Sequence, residues 1–270
     1  MVAGSRRFAI REVEAYLYGP GHEDPFAHQH PNQGTSGRWH FHRQGRSYRG
    51  GTFKGLDLTF GPPETRAGLL LRALSETAGD APGDGVSAEV SASTGSGGGG
   101  PKREDVAAGV SGPCRVVHTL LEATGQATVA ALDAELGSAL DPDTPLHLVA
   151  RPWAGSHRIY ASARVGLGLA REASHPTMRE FLGLRLRWLD APHIREGRDL
   201  LTVALHEDGW APEEISARLR TPLRTVRARI EAWSRGYAGG WAATPGAHQG
   251  CAQLGAFARA MASRGTGEDQ

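Results

Sequence analysis

The stretch "FAIREVEAYLY", residues 8–18, decides the fold. Its apolar and polar residues alternate loosely, the pattern of a half-buried strand whose successive side chains point to opposite faces. Further on, "GGTFKGLDLTFG" (50–61) and "AGLLLRAL" (67–74) read as a strand, a turn at Gly61-Pro62-Pro63 and a buried strand. Glycines at 50, 51, 55 and 61 suggest sharp bends, bulges or a close backbone approach by a ligand. "RIYASARVGLGLA" (158–170) and "FLGLRLRWLD" (181–190) read as strands returning to the core, and "SGPCRVVHTLLEATG" (111–125) as a capped amphipathic helix ending at Gly125. From about 76 to 104 large apolar residues almost vanish, so a disordered excursion is expected. The expected class is α+β: a curved, mostly antiparallel β-sheet core with flanking helices over residues 1–190, followed by a small all-α unit.

That unit spans 195–238. Apolar residues there recur with helical spacing at Leu200, Leu201, Val203 and Ala204, at Ile215 and Leu219, and at Val226, Ile230 and Trp233. Pro212 can open a helix, with Glu213 and Glu214 suiting its dipole, and Thr221-Pro222 breaks it from the next. "EEISARLRTPLRTVRARIEAW" resembles the helix-turn-helix of bacterial regulators and sigma-factor ends. That likeness implies a core of Ile215, Leu219, Val226 and Ile230, with Arg224, Thr225, Arg227 and Arg229 free to meet DNA. Arg220 stands where many such motifs place a turn glycine. Between 211 and 236 six arginines face three glutamates, a balance that suits DNA contact, with a small helical hairpin packed on the main domain as the alternative. The tail, 239–270, is Ala/Gly-rich with a short helix expected near 252–262.

With 270 residues and 39% hydrophobic content, the chain can bury one good-sized core and a small second one, and is too polar for a membrane protein. No membrane span or secretory stretch is legible. Cys114 and Cys251 form no framework and read as free, buried thiols in a reducing cytosol. Net charge is only +1, yet from Arg38 to Lys54 there are five basic residues (Arg38, Arg43, Arg46, Arg49, Lys54) and no acid. Such a run suits a polyanion, because guanidinium forks match phosphate oxygens.

Five histidines crowd residues 21–42, two pairs of them as His-x-His: His28/His30 and His40/His42. On a strand each pair would present two imidazoles to one point. A cupin-type metal site wants a glutamate soon after, and the next one is Glu64, far too distant. The expectation is therefore no metal and no cofactor.

Four stretches in order resemble the alkyladenine (3-methyladenine) DNA glycosylase family over residues 8 to 188. "REVEAYLYGPGHEDPFAH" is close to V-E-T-E-A-Y-x-G-P-x-D-x-A-x-H, "LLLRAL" to V-L-L-R-A-L, "SGPCRVVHTL" to S-G-P-x-x-L-x-x-A-L, and "ASARVGLGLA" to A-A-R-V-G-V-G. Hydrolysis of an N-glycosidic bond needs a carboxylate to activate water and steady oxocarbenium-like charge. Glu14, in its apolar setting, is the general base by this resemblance. Arg72 falls at the water-orienting arginine and the main-chain carbonyl of Val165 at the third water ligand. The extruded base needs aromatic faces, and Tyr16 and His28 align with the family's stacking pair. Phe53 falls at the intercalating side chain that fills the gap in the duplex, with Tyr48 at another aromatic of the pattern. Arg38, Arg43, Arg46, Arg49 and Lys54 would contact phosphates around Phe53.

The pattern also departs from the family's. Gly50 stands at its second stacking tyrosine, Phe60 near its base-discriminating asparagine, and "GTSGR" replaces T-P-R-N. The resemblance thus implies a DNA repair enzyme excising damaged, first of all alkylated, purines from double-stranded DNA. It would be monofunctional, because no lysine in the motifs can form a Schiff base. It would act as a cytoplasmic monomer at the bacterial nucleoid. A non-catalytic DNA-binding regulator or damage sensor is the alternative.

Overall fold

The computed structural model describes residues 1–77, 109–137, 139–150, 158–190, 196–244 and 249–265. The excursion expected over 76–104 therefore lies outside the described residues, except that Glu76 ends a strand and Thr77 donates its amide to the Arg7 carbonyl at 2.9 Å.

Strand β1 (Val2–Ala3) turns into the long β2 (Arg6–Gly19), and β3 (His22–Glu23) folds back on its end. Next come β4 (Trp39–Phe41), the small pair β5 (Arg43–Gln44) and β6 (Ser47–Tyr48), then β7 (Leu56–Thr59) and β8 (Arg66–Glu76). Strand β9 (Val110–Ser111) leads into α1 (Pro113–Thr124) and α2 (Val129–Leu136), followed by β10 (Leu146–His147) and β11 (Tyr160–Ser162). After α3 (Met178–Phe181) and β12 (Arg187–Leu189) the chain is helical: α4 (Arg198–Glu207), α5 (Pro212–Leu219), α6 (Leu223–Gly239) and α7 (Cys251–Gly265). Every strand pairing among the described residues is antiparallel. The main sheet runs β10-β1-β2-β8-β7-β4 and curls into a half-barrel, while β12 takes the other side of the middle of β2. The fold is α+β, as the strand and helix patterns led one to expect.

Phe8, Trp39, Phe41, Leu56, Leu71 and Leu74 from the sheet bury against Val116, Val117 and Leu120 of α1 and Leu132 and Leu136 of α2. Helix α1 shows the spacing that lets one face meet a sheet, and it ends at Gly125 in the left-handed conformation. The ladder between β2 and β8 is irregular around Glu12, where Ile10↔Leu74, Glu12↔Ala73 and Val13↔Leu71 break the regular register. Before this point Phe8 and Ile10 pack into the core; after it Val13 does. Glu12, Glu14 and Tyr16 thereby fall on the opposite side, away from the core they would otherwise have to enter.

Three readings from pattern need correction. "FLGLRLRWLD" does not start as a strand: Phe181 closes α3, because Met178 and Leu182, one helical turn apart, pack on Leu167 and Leu169. Within "RIYASARVGLGLA" only Tyr160–Ser162 pairs as extended strand. Phe53 is not on a strand but on a single 3-10 turn, Gly51–Phe53, that precedes β7.

In the C-terminal part, Pro212 is the first residue of α5, and Arg220 caps it at φ 48° before Pro222 admits α6. Ile215, Leu219 and Val226 are buried with Ile230 against them, in one cluster with Leu201, Leu205, Tyr160 and Leu189. The three helices are thus packed on β11 and β12. No helix among the described residues is long and apolar enough to cross a membrane.

Candidate functional site

The middle of β2 delivers the first carboxylates. Glu14 is 0% exposed and Glu12 1%. Arg72, on the neighbouring β8, donates from Nε to Glu12 Oε1 at 3.0 Å and from Nη1 to Glu14 Oε2 at 3.2 Å. Arg187, on β12 at the other flank, donates from Nε to the same Glu12 oxygen at 2.6 Å. Arg72 Nη2 also donates to Glu196 Oε2 at 2.6 Å, and Arg187 Nη2 to the Glu196 carbonyl at 2.8 Å. Buried charges persist only when paired and hydrogen-bonded, and here two arginines answer two buried carboxylates.

Glu14 has two further donors. The Tyr16 hydroxyl donates to Oε2 at 3.0 Å and the Val165 amide to Oε1 at 2.6 Å. Sequence resemblance assigns Val165 a role through its carbonyl, toward the water; its N–H is the atom that meets Glu14. Three accepted bonds leave roughly one of the carboxylate's four lone-pair sites free. Burial raises the Glu14 carboxyl above its usual range, opposed by Arg72 and by the Val165 hydrogen bond. Burial and the neighbouring Glu14 push the Tyr16 phenol well up, so it stays neutral. The Arg164 guanidinium, fully buried, lies over the Tyr16 ring at 4.5 Å and pairs with Asp24.

Above this network opens a cleft of about 590 Å³ whose floor includes Tyr16, Leu70 and Val165. That volume suits a nucleobase or another drug-sized ligand. His28 and His42 form a wall, Arg49 and Arg171 bring positive charge, and Phe53 stands at the rim, 71% exposed. His28 faces the open cleft, yet the surrounding protein and nearby His42 lower its imidazole to about 4. His42 Nε2 lies 2.9 Å from Asp57 Oδ1, and Gln33 donates to Asp57 Oδ2 at 3.0 Å. Burial alone would raise Asp57; His42, by charge and hydrogen bond, together with His40 and His28 offsets it, and the carboxyl is held below its usual range.

Of the residues singled out from sequence, the structure brings together Glu14, Arg72, Val165 and Tyr16, with His28, Arg49 and Phe53 around the same cleft. Tyr48 does not line it. Its hydroxyl donates to Asp133 Oδ2 at 2.6 Å while the Arg43 guanidinium covers its ring at 3.9 Å. Arg43 is accordingly tied to Asp133 of α2 at 2.9 Å rather than presented to solvent. Arg38 and Arg46 are exposed, and Lys54 Nζ lies 2.7 Å from His118 Nε2. On α6, Arg224 is exposed, Thr225 half-buried, and Arg227 pairs with Glu213 at 2.8 Å. Arg229 turns inward instead, donating to Thr202 Oγ1 at 3.1 Å.

Sequence reading missed Glu12, Arg164, Arg171 and Asp57. A signal existed for Asp57: an acid inside the apolar strand "LDLTF", next to Gly55. With His28 and His42 it forms a group whose ligand atoms lie within 4.8 Å of one another. The histidine-rich stretch, read as free of metal chemistry, thus contributes two of three such side chains.

No family model and no solved structure matches the chain. It is similar to an uncharacterized protein of Acanthamoeba polyphaga mimivirus, 27% identical over 184 residues, which cover 62% of this chain and 72% of the viral protein.

Proposed function

We propose that the protein is a monofunctional DNA glycosylase that draws a damaged purine, first of all an alkylated one, out of double-stranded DNA and hydrolyses its N-glycosidic bond. The observation that carries this reading is the Arg72-paired Glu14 beneath a base-sized cleft with Phe53 free at its rim. Tyr16 and His28 offer faces for the base, and Arg49 with Arg171 offers charge to its phosphates. Phe53 takes the place of the extruded nucleotide in the stack.

In the reaction the water oxygen bonds to the anomeric carbon as the C–N bond breaks, and the base leaves with the bonding pair. The water proton passes to Glu14, whose negative charge also steadies the sugar cation. A base cationic from alkylation leaves neutral without needing an acid. Arg72 holds the carboxylate oxygen in place, and the Val165 amide fixes the other.

The test is release of free base from DNA carrying methylated, deaminated or bulky-adduct purines, with Glu14→Gln beside the wild type. One observation favours a second reading, a non-catalytic damage sensor: Glu14 has no exposed surface and three donors already. Mobility-shift binding without base release, insensitive to Glu14→Gln, would select it.

A further inference from the structure

We infer that His28, His42 and Asp57 form a site for one divalent transition-metal ion of the zinc class, with an open coordination position facing the cleft. This inference goes beyond the glycosylase reading and does not rest on it.

The donor set is two imidazoles and one carboxylate, with all ligand atoms within 4.8 Å of each other. Three protein ligands of this kind, with the fourth position left open, distinguish an exchangeable metal centre from a closed structural one. The openness here has a direction. His28 and His42 line the cleft, while Asp57 sits behind them, 2% exposed.

The cluster holds more nitrogen than its carboxylate requires. Gln33 and His42 already satisfy both Asp57 oxygens. His28 packs its ring edge-on against His42, centroids 4.2 Å apart, and makes no hydrogen bond among the described residues. A plain buried carboxylate would need neither this ring nor the second imidazole pair, His30 and His40, whose ring centroids stack 4.9 Å apart.

The backbone also makes room for these particular side chains. A Cβ at Gly55 would fall 2.5 Å from His42 Cε1 and Nδ1, and one at Gly68 would fall 2.8 Å from Asp57 Oδ2. Glycine at both places admits the ring and the carboxylate where any side chain would displace them. Gly55 backs the Nδ1 edge, so Nε2 is the His42 nitrogen that faces Asp57.

Nε2 and Oδ1 now share a proton at 2.9 Å. An ion bound at roughly 2.0–2.2 Å to each takes the place of that proton, with His42 a neutral imidazole ligand that carries its proton on Nδ1, and spreads the pair by only a few tenths of an ångström. A ring nitrogen of His28 completes the set, and water or another heteroatom ligand takes the side toward the cleft.

The experiment is calorimetric titration of the full chain, without a polyhistidine tag and after chelator treatment, with Zn²⁺ alone. One ion is expected to bind, with affinity lowered at least tenfold in His28→Ala and unchanged in His175→Ala, an exposed histidine elsewhere. Co²⁺ added to the wild type should give the visible bands of a low-coordinate site, absent from His28→Ala. No binding, or binding undiminished in His28→Ala, would overturn the inference. His28 is exposed, so its removal leaves folding intact even where His42→Ala or Asp57→Asn does not. Base release assayed with chelator present tests the glycosylase reading separately.

Discussion

Arg72 Nη1 lies 3.2 Å from Glu14 Oε2 and Arg72 Nε 3.0 Å from Glu12 Oε1, so one guanidinium spans two buried carboxylates on the neighbouring strand. Removing it would strand both charges in a water-poor interior. Arg72→Ala is expected to lower stability by about 3–5 kcal/mol, the range for breaking a buried pair from one side. Denaturant unfolding followed by circular dichroism measures it. A loss below about 1 kcal/mol would mean that Arg187 alone balances the carboxylates.

The acid limb of activity should sit high. Glu14 must be ionised to take a proton, and burial raises its pKa above the ordinary carboxylate range. The rate is expected to fall with decreasing pH through that raised value, before an exposed glutamate would protonate. The stability contribution has the opposite sense. The raised folded pKa favours the fold below the unfolded value and the gain is lost as pH rises through the folded one. A base-release profile whose acid limb lies at an ordinary carboxylate pKa would contradict the burial argument.

Phe53 should be separable from folding. At 71% exposure it contributes little to the core, so Phe53→Ala is expected to change stability by no more than about 0.5 kcal/mol. Loss of a stacking wedge worth about 1–3 kcal/mol should slow base release or weaken DNA binding by about tenfold or more. Thermal melts and single-turnover assays on one preparation decide between wedge and bystander.

Arg220 holds a left-handed conformation, φ 48°, that favours glycine. Arg220→Gly is expected to relieve strain of about 1 kcal/mol and to raise the melting temperature, partly offset by the freer unfolded chain. A lower melting temperature would show that the arginine side chain itself supports the turn between α5 and α6.

The strands, α1 with its Gly125 stop, and the helix pair around Pro222 were legible because each follows from local periodicity and local breakers. The Glu14, Arg72, Val165 and Tyr16 grouping was legible through motif resemblance alone. Simple alternation would have put Glu14 on the same side as Phe8 and Ile10. The ladder irregularity at Glu12, which turns it away, leaves no mark in the pattern. Tyr48 and Arg43 were misplaced for a related reason: their partner, Asp133, lies 85 residues beyond Tyr48. Asp57 went unnoticed because a lone acid in a strand becomes meaningful only when folding sets His28 and His42 beside it.

Glu14 is the base in the proposed reaction. The most direct measurement is single-turnover release of free base from a methylated-purine duplex by wild type and Glu14→Gln under identical conditions. The carboxamide cannot satisfy Arg72, Tyr16 and the Val165 amide together, but it removes a buried charge, so the variant should remain folded within about 2 kcal/mol. The wild type is expected to release base, and the folded variant to lose about 10²–10⁴-fold or more of that rate. Release undiminished in Glu14→Gln, or no release by the wild type from any damaged duplex, would contradict the proposed reaction.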